Sequence, residues 1–243
     1  VILLLHGFGG DKDNWTRFAR SLTKKYHVVA PDLPGFGESA KHADWDYSPE
    51  PQRDRLRAFL RKLELDSVHV VGNSMGGYLA GIYAAEYGDD VRSIAFFNTA
   101  GIDAPVESAM QRLLAEGKNP LIVDSLEDFD TLLAFVSYKP PFLPWPARKV
   151  FAQKALQNSE SNHRIFDGYD DGRQTGLQAV LAGIEQPSLI LWGEFDRVLD
   201  VSSVDVMRGL LPHAEVVVMK DTGHVPMLER PAVTAAIYAE FLD

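Results

Sequence analysis

The chain has 243 residues, 46% of them hydrophobic, enough for one large core or for one core that carries an insertion. Its 34 acidic against 24 basic residues give a formal charge of -10, so a phosphate backbone or a strongly anionic membrane surface would be repelled, and no nucleic-acid partner is expected. With no cysteine there is no disulfide framework, no thiolate nucleophile and no cysteine zinc site, and the compartment is left undecided.

Val1 to Leu5 is a continuous apolar run bounded by His6-Gly7-Phe8-Gly9-Gly10, the pattern of a buried strand that ends in a glycine-rich loop. The chain enters this strand at once and without an initiator Met, which suggests upstream residues, with room among them for an anchor or export signal. Within the numbered chain no run approaches the roughly 20 apolar residues of a membrane span, and no signal-peptide pattern is present, so it reads as soluble. Trp15 to Leu22 reads as a helix, Tyr26 to Ala30 as a second strand, and Pro31 to Gly37 as a turn-rich structural loop. Pro51 to Leu63 is an amphipathic helix with Leu56, Phe59, Leu60 and Leu63 on one face, and it feeds the strand Ser67 to Val71. The Ala-rich segment Tyr78 to Tyr87 is the next helix, and Val91 to Asn98 the next strand.

From about Gly101 to Gly183 the alternation stops, and helical patterns follow one another at Glu107 to Gly117, Leu126 to Tyr138, Trp145 to Asn158 and Thr175 to Leu181. Strands resume at Pro187 to Gly193 and Glu215 to Met219, and the chain closes with a helix from Pro231 to Leu242. The expected architecture is an α/β core, residues 1–100 and 184–243, with a mostly parallel sheet between two layers of helices and an inserted helical cap over residues 101–183.

The stretch Gly72-Asn73-Ser74-Met75-Gly76-Gly77 joins a strand to a helix. A serine in so sharp a turn is lifted onto the helix N-terminus, where backbone N–H groups favour developing negative charge, and side chains at Gly72 and Gly76 would collide across the turn. Ser74 is therefore the candidate nucleophile, against the plainer reading of a serine that merely caps a helix. A serine nucleophile needs a base and a carboxylate to orient that base. Asp196 and His224 both lie just past resumed strands, so all three candidates leave the carboxyl ends of parallel strands. Glu194, Asp200 and Asp205 compete for the role of the acid. The loop after the first strand can aim the backbone N–H of Phe8 beside that of Met75 as an oxyanion hole, with His6 as a brace. No histidine pair stands at ligand spacing beside suitable carboxylates, so no metal is expected.

In the cap, Lys139 to Pro146 holds Phe142, Leu143 and Trp145 among four prolines. These side chains either line or gate an acyl tunnel leading to Ser74, as part of a lipid-facing lid, or simply pack on the cap helices.

With His6-Gly7-Phe8-Gly9, Asp32 to Ser39, Gly72 to Gly77, Asp196 and Gly223-His224, the chain resembles the α/β-hydrolase superfamily from end to end. Within it, Val136 to Phe142, Trp192 to Val201 and Gly223-His224 with Met227 to Pro231 look like the type-six α/β-hydrolase-domain monoacylglycerol lipases and their bacterial lipase relatives. The resemblance implies a serine esterase or lipase with no cofactor, an ester or lipid as substrate and a medium or long acyl chain under the cap. Peripheral membrane contact would come through the cap or a missing N-terminal segment. Family members begin with two further strands that this sequence lacks. Two alternatives remain: a carbon–carbon bond hydrolase of the meta-cleavage type, which shares the elbow but typically carries Trp where Val225 follows His224, and a non-catalytic ligand-binding member of the fold.

Overall fold

The computed structural model describes residues 1–169 and 176–243. Six strands, β1 (Ile2–Leu5), β2 (Val28–Val29), β3 (Val68–Asn73), β4 (Val91–Phe97), β5 (Ser188–Gly193) and β6 (Glu215–Met219), form one sheet in the order β2-β1-β3-β4-β5-β6. Every pairing in it is parallel. The expected α/β architecture is thus present. Strand order reverses between β1 and β3, so the crevice that parallel sheets open at such a point lies beyond Leu5 and Asn73.

Because successive side chains of a strand point to opposite faces, the apolar runs feed two cores. Leu3, Leu5, Val68 and Val70 pack on one face under α2 (Pro49–Lys62) and α3 (Met75–Glu86). Ile2, Leu4 and Val71 pack on the other with Phe18 of α1 (Thr16–Leu22) and Tyr238 of the C-terminal helix Pro231–Leu242. Burial on both sides explains why these strands read as unbroken apolar runs. The Ala-rich α3 is buried nearly all round, with small residues letting it lie close against the sheet.

Between β4 and β5 the described residues form five helices: α4 (Ala109–Ala115), α5 (Asp128–Val136), α6 (Trp145–Gln157), α7 (Ser159–Tyr169) and α8 (Gly176–Val180). Val123, Phe129 and Ala152 make a small core of their own, with Leu132, Leu133, Leu143 and Leu156 packed against it. The helix expected from Thr175 appears as α8, Thr175 itself lying outside the described residues. The sequence pattern missed α7. Its polar first turn, Ser159-Glu160-Ser161-Asn162, hides an inward face made by Asn162, Ile165 and Phe166, too few apolar residues to reveal the period. After β5 come α9 (Ser203–Leu210), the short α10 (Pro226–Glu229) and α11 (Pro231–Leu242). No described helix is long and apolar enough to cross a membrane.

Candidate active site

Ser74 stands between β3 and α3 with φ 55° and ψ -120°, a left-handed backbone that costs a non-glycine residue free energy. The surrounding contacts hold it there. A Cβ at Gly72 would lie 2.1 Å from the Gly76 carbonyl oxygen, and one at Gly76 would lie 2.2 Å from the carbonyl oxygen of Leu5. Glycine at both positions therefore lets the elbow close on itself and lie against the end of β1. The Ser74 N–H donates to the carbonyls of Phe97 and Asn98, which fastens the turn to the end of β4.

Asp196 and His224 meet, as their places at adjacent strand ends require. His224 Nδ1 is 2.8 Å from Asp196 Oδ2. The carboxylate accepts this proton, so Nδ1 carries the hydrogen and Nε2 is left with a lone pair. The Asp196 side chain is 0% exposed. Its Oδ1 accepts the backbone N–H groups of Val198 (2.8 Å) and Leu199 (3.0 Å), and its Oδ2 also accepts the Asn98 amide at 2.7 Å. Four donors offset the desolvation of a buried carboxylate. None of the rival acids is bonded to the His224 ring: Glu194 and Asp205 are exposed, and Asp200, at the cavity, accepts the Ser202 N–H. The Asn73 amide donates to the His224 carbonyl at 3.0 Å, which joins the residue before Ser74 to the histidine loop.

Above Ser74 lies a cavity of about 250 Å³. Phe8 and Met75 line it with Ser74, and Met110 and Leu114 of α4, Leu121 of the turn after it and Phe166 of α7 close it from the segment between β4 and β5. Among the described residues, neither the Phe8 nor the Met75 backbone N–H is taken up by a protein acceptor. His6 is fully buried and braces this loop: its Nε2 accepts the Leu33 N–H at 2.9 Å, and Nδ1 lies 2.8 Å from the Gly7 carbonyl oxygen. Burial pushes its pKa down, against the opposing pull of Gly7, Asp32 and Asp11, so the ring is held neutral.

Phe142, Leu143 and Trp145 do not line this cavity. Phe142 is 89% and Trp145 72% exposed, while Leu143 packs on the small core of the inserted helices. The expected acyl tunnel through these residues is therefore not the space above Ser74. Pro140, Pro141, Pro144 and Pro146 restrict this segment, and in α6 Ala152 is buried while Trp145, the first residue of the helix, stays exposed.

Two site residues escaped the sequence reading. Asn98 directly follows β4 with φ 45°, and an asparagine just past a strand, tolerant of that conformation, was the available signal. Glu229 sits in α10. Its Oε1 accepts the Gly223 N–H at 2.8 Å, and its Oε2 accepts those of Tyr138 (2.8 Å) and Lys139 (3.2 Å). It thereby clamps the histidine loop to the chain leaving α5, where the His224 N–H also donates to the Val136 carbonyl at 2.8 Å.

A family model described as the alpha/beta hydrolase fold matches residues 1–231. The chain belongs to the α/β-hydrolase family. Over 242 residues it is 41% identical to Lipase 1 of Psychrobacter immobilis, covering 99% of this chain and 76% of that one. It is 31% identical to monoacylglycerol lipase abhd6-A of Xenopus laevis over 255 residues, 100% of this chain and 75% of the relative. Among solved structures, a membrane phospholipase A described as a bacterial virulence factor superimposes with a TM-score of 0.97 at 47% identity, covering 100% of this chain and 78% of that one. The α/β-hydrolase fold and the lipase relatives thus agree with the resemblance read from the motifs.

Proposed function

We propose that this α/β-hydrolase is a serine lipase or esterase that works through an acyl-enzyme on Ser74. It is a carboxylic-ester hydrolase of the lipase and esterase kind, as its full-length relatives are, and the triad accounts for how it acts. The observation that carries the mechanism is the 2.8 Å contact between His224 Nδ1 and the buried Asp196, which leaves Nε2 as a base. In the first half-reaction Ser74 Oγ attacks the ester carbonyl while His224 takes its proton. The tetrahedral oxyanion is met by the N–H groups of Phe8 and Met75 at the positive end of α3. His224 returns the proton to the leaving alcohol, and the acyl group stays on Ser74. Water, deprotonated by His224, then attacks the acyl carbonyl, and His224 returns that proton to Ser74 Oγ as the acid is released.

The helices between β4 and β5 act as the cap, and the apolar residues from α4 and α7 hold the acyl chain. The relatives' names point to acylglycerols or phospholipids. Among the described residues, two carboxylates, Asp103 and Asp200, and no basic residue line the cavity. That lining disfavours the anionic diketones of the carbon–carbon hydrolases and supports a neutral ester. The test is a series of p-nitrophenyl esters from acetyl to decanoyl with Ser74→Ala as control, together with stoichiometric labelling by an organophosphonate. Loss of Ser74 or His224 is expected to lower kcat by about 10⁴-fold or more with folding intact. Full turnover by Ser74→Ala would sink the proposal.

A further inference from the structure

Apart from Ser74, the polar side chains that line the cavity among the described residues come from two segments, residues 103–111 after β4 and residues 200–203 after β5. Two hydrogen bonds fasten these segments together. The Val106 N–H donates to Ser202 Oγ at 3.2 Å, and the Met110 N–H donates to the Arg197 carbonyl at 3.0 Å. Phe8, Leu121 and Phe166 supply an apolar lining of their own, with the two rings edge to face at 5.4 Å. Asp103 is held through its backbone, whose N–H donates to Gln178 Oε1 at 2.8 Å, and its carboxylate has no partner among the described residues. One Asp200 oxygen accepts the Ser202 N–H at 2.9 Å, and the other has no partner among them. Ser203 is only 2% exposed, and its N–H is bound to the Asp200 carbonyl at 3.0 Å, yet its hydroxyl bonds no group among the described residues. A buried hydroxyl without a partner carries a free-energy cost that a bound polar group removes.

We infer that Asp103, Asp200 and Ser203 select the alcohol half of the ester by its charge, accepting a diol or an amino alcohol and rejecting an alcohol that carries a phosphate. The inference rests on the ester-hydrolase reading of this cavity and names the substrate class within it. Carboxylates only accept hydrogen bonds, so they suit an alcohol that brings hydroxyl donors or a positive charge, and the Ser203 hydroxyl can complete the set by donating or accepting. A phosphate monoester a few bonds from the ester oxygen would instead add a further anion beside two carboxylates, in a space that holds little water to screen them. The apolar lining of Phe8, Leu121 and Phe166 is left to the acyl chain.

Three esters of one acyl chain test this: monooctanoylglycerol, octanoylcholine and octanoylglycerol phosphate, each below its critical micelle concentration. The kcat/KM of the glyceryl and choline esters is expected to exceed that of the phosphate by about tenfold or more, the gap narrowing as salt is raised from about 0.05 to 0.5 M. Asp103→Asn combined with Asp200→Asn keeps the shape of both side chains and an oxygen for the Ser202 N–H, and should cut the choline-to-phosphate ratio by about tenfold. Ser203→Ala should lower the glyceryl-to-choline ratio by about three- to tenfold, the loss of one neutral hydrogen bond. Each readout is a ratio within one protein, so a smaller folded fraction in a variant does not alter it. Equal kcat/KM for the three esters, or a choline-to-phosphate ratio unchanged by the double substitution, overturns the inference and leaves the ester-hydrolase reading standing. Turnover of none of the three strikes that reading, and the inference with it.

Discussion

Asn98 Nδ2 donates to Asp196 Oδ2 at 2.7 Å, the same oxygen that His224 Nδ1 meets at 2.8 Å. Asn98 therefore helps to fix the carboxylate oxygen that the imidazole meets. Asn98→Ala and Asn98→Gly both remove this donor, and only the glycine relieves the left-handed backbone. Both variants are expected to lose about 10- to 100-fold in kcat with KM little changed, since a hydrogen bond to a charged group contributes about 1.5–3 kcal/mol. If Asn98→Gly keeps full kcat, the residue serves the turn and not the triad.

Glu229 is a positioning residue for His224. Glu229→Ala strands the N–H groups of Gly223, Tyr138 and Lys139, and should lower thermal stability by about 1–3 kcal/mol along with kcat. Burial raises the Glu229 pKa despite these donors, so Glu229→Gln, which keeps one acceptor and removes the buried charge, should be the milder change. Denaturant midpoints and ester kinetics on the two variants check the order. A Gln variant worse than Ala would contradict it.

His6 makes stability depend on pH. Its folded pKa is depressed by burial, so the unfolded chain binds this proton first. The contribution is fully present above the unfolded value of about 6.5 and is lost as pH falls from there through the folded pKa. The melting temperature should therefore be level above that pH and decline on mild acidification, before the carboxylates titrate. His6→Gln should flatten this limb in a calorimetric series.

On the proposed function, the cavity above Ser74 should limit the acyl chain. Within it each added methylene should raise kcat/KM by up to about fourfold, the equivalent of roughly 0.8 kcal/mol, until the cavity of about 250 Å³ is full. Leu114→Trp should move that plateau to shorter esters and leave acetyl turnover nearly unchanged, because Leu114 lines the cavity from α4 while the triad lies at the strand ends. An unaltered chain-length profile would place the acyl group elsewhere.

The sequence by itself determined the sheet, the elbow and the candidate triad. Strands buried on both faces announce themselves as apolar runs, and Gly72 is needed by a steric contact with Gly76 only four residues along the chain, whereas Gly76 is also needed because the elbow lies against Leu5 at the end of β1. Asp196 and His224 were legible because parallel strands deliver their loops to one edge whatever lies between them. What the tertiary structure decided depends on contacts between distant segments. The roles of Asn98 and Glu229 follow from partners 98, 91 and 6 residues away, on elements whose approach no local pattern encodes. The helix α7 and the residues closing the cavity owe their places to packing over the sheet, which a few apolar positions in a polar segment do not reveal. Phe142 and Trp145 looked alike in sequence whether they faced the cavity or the solvent. Phe142 precedes α6 and Trp145 is its first residue, on the same side as Ala152 two turns later, yet only Ala152 joins the small core, because burial is set by the neighbours a position meets and not by its place on the helix alone.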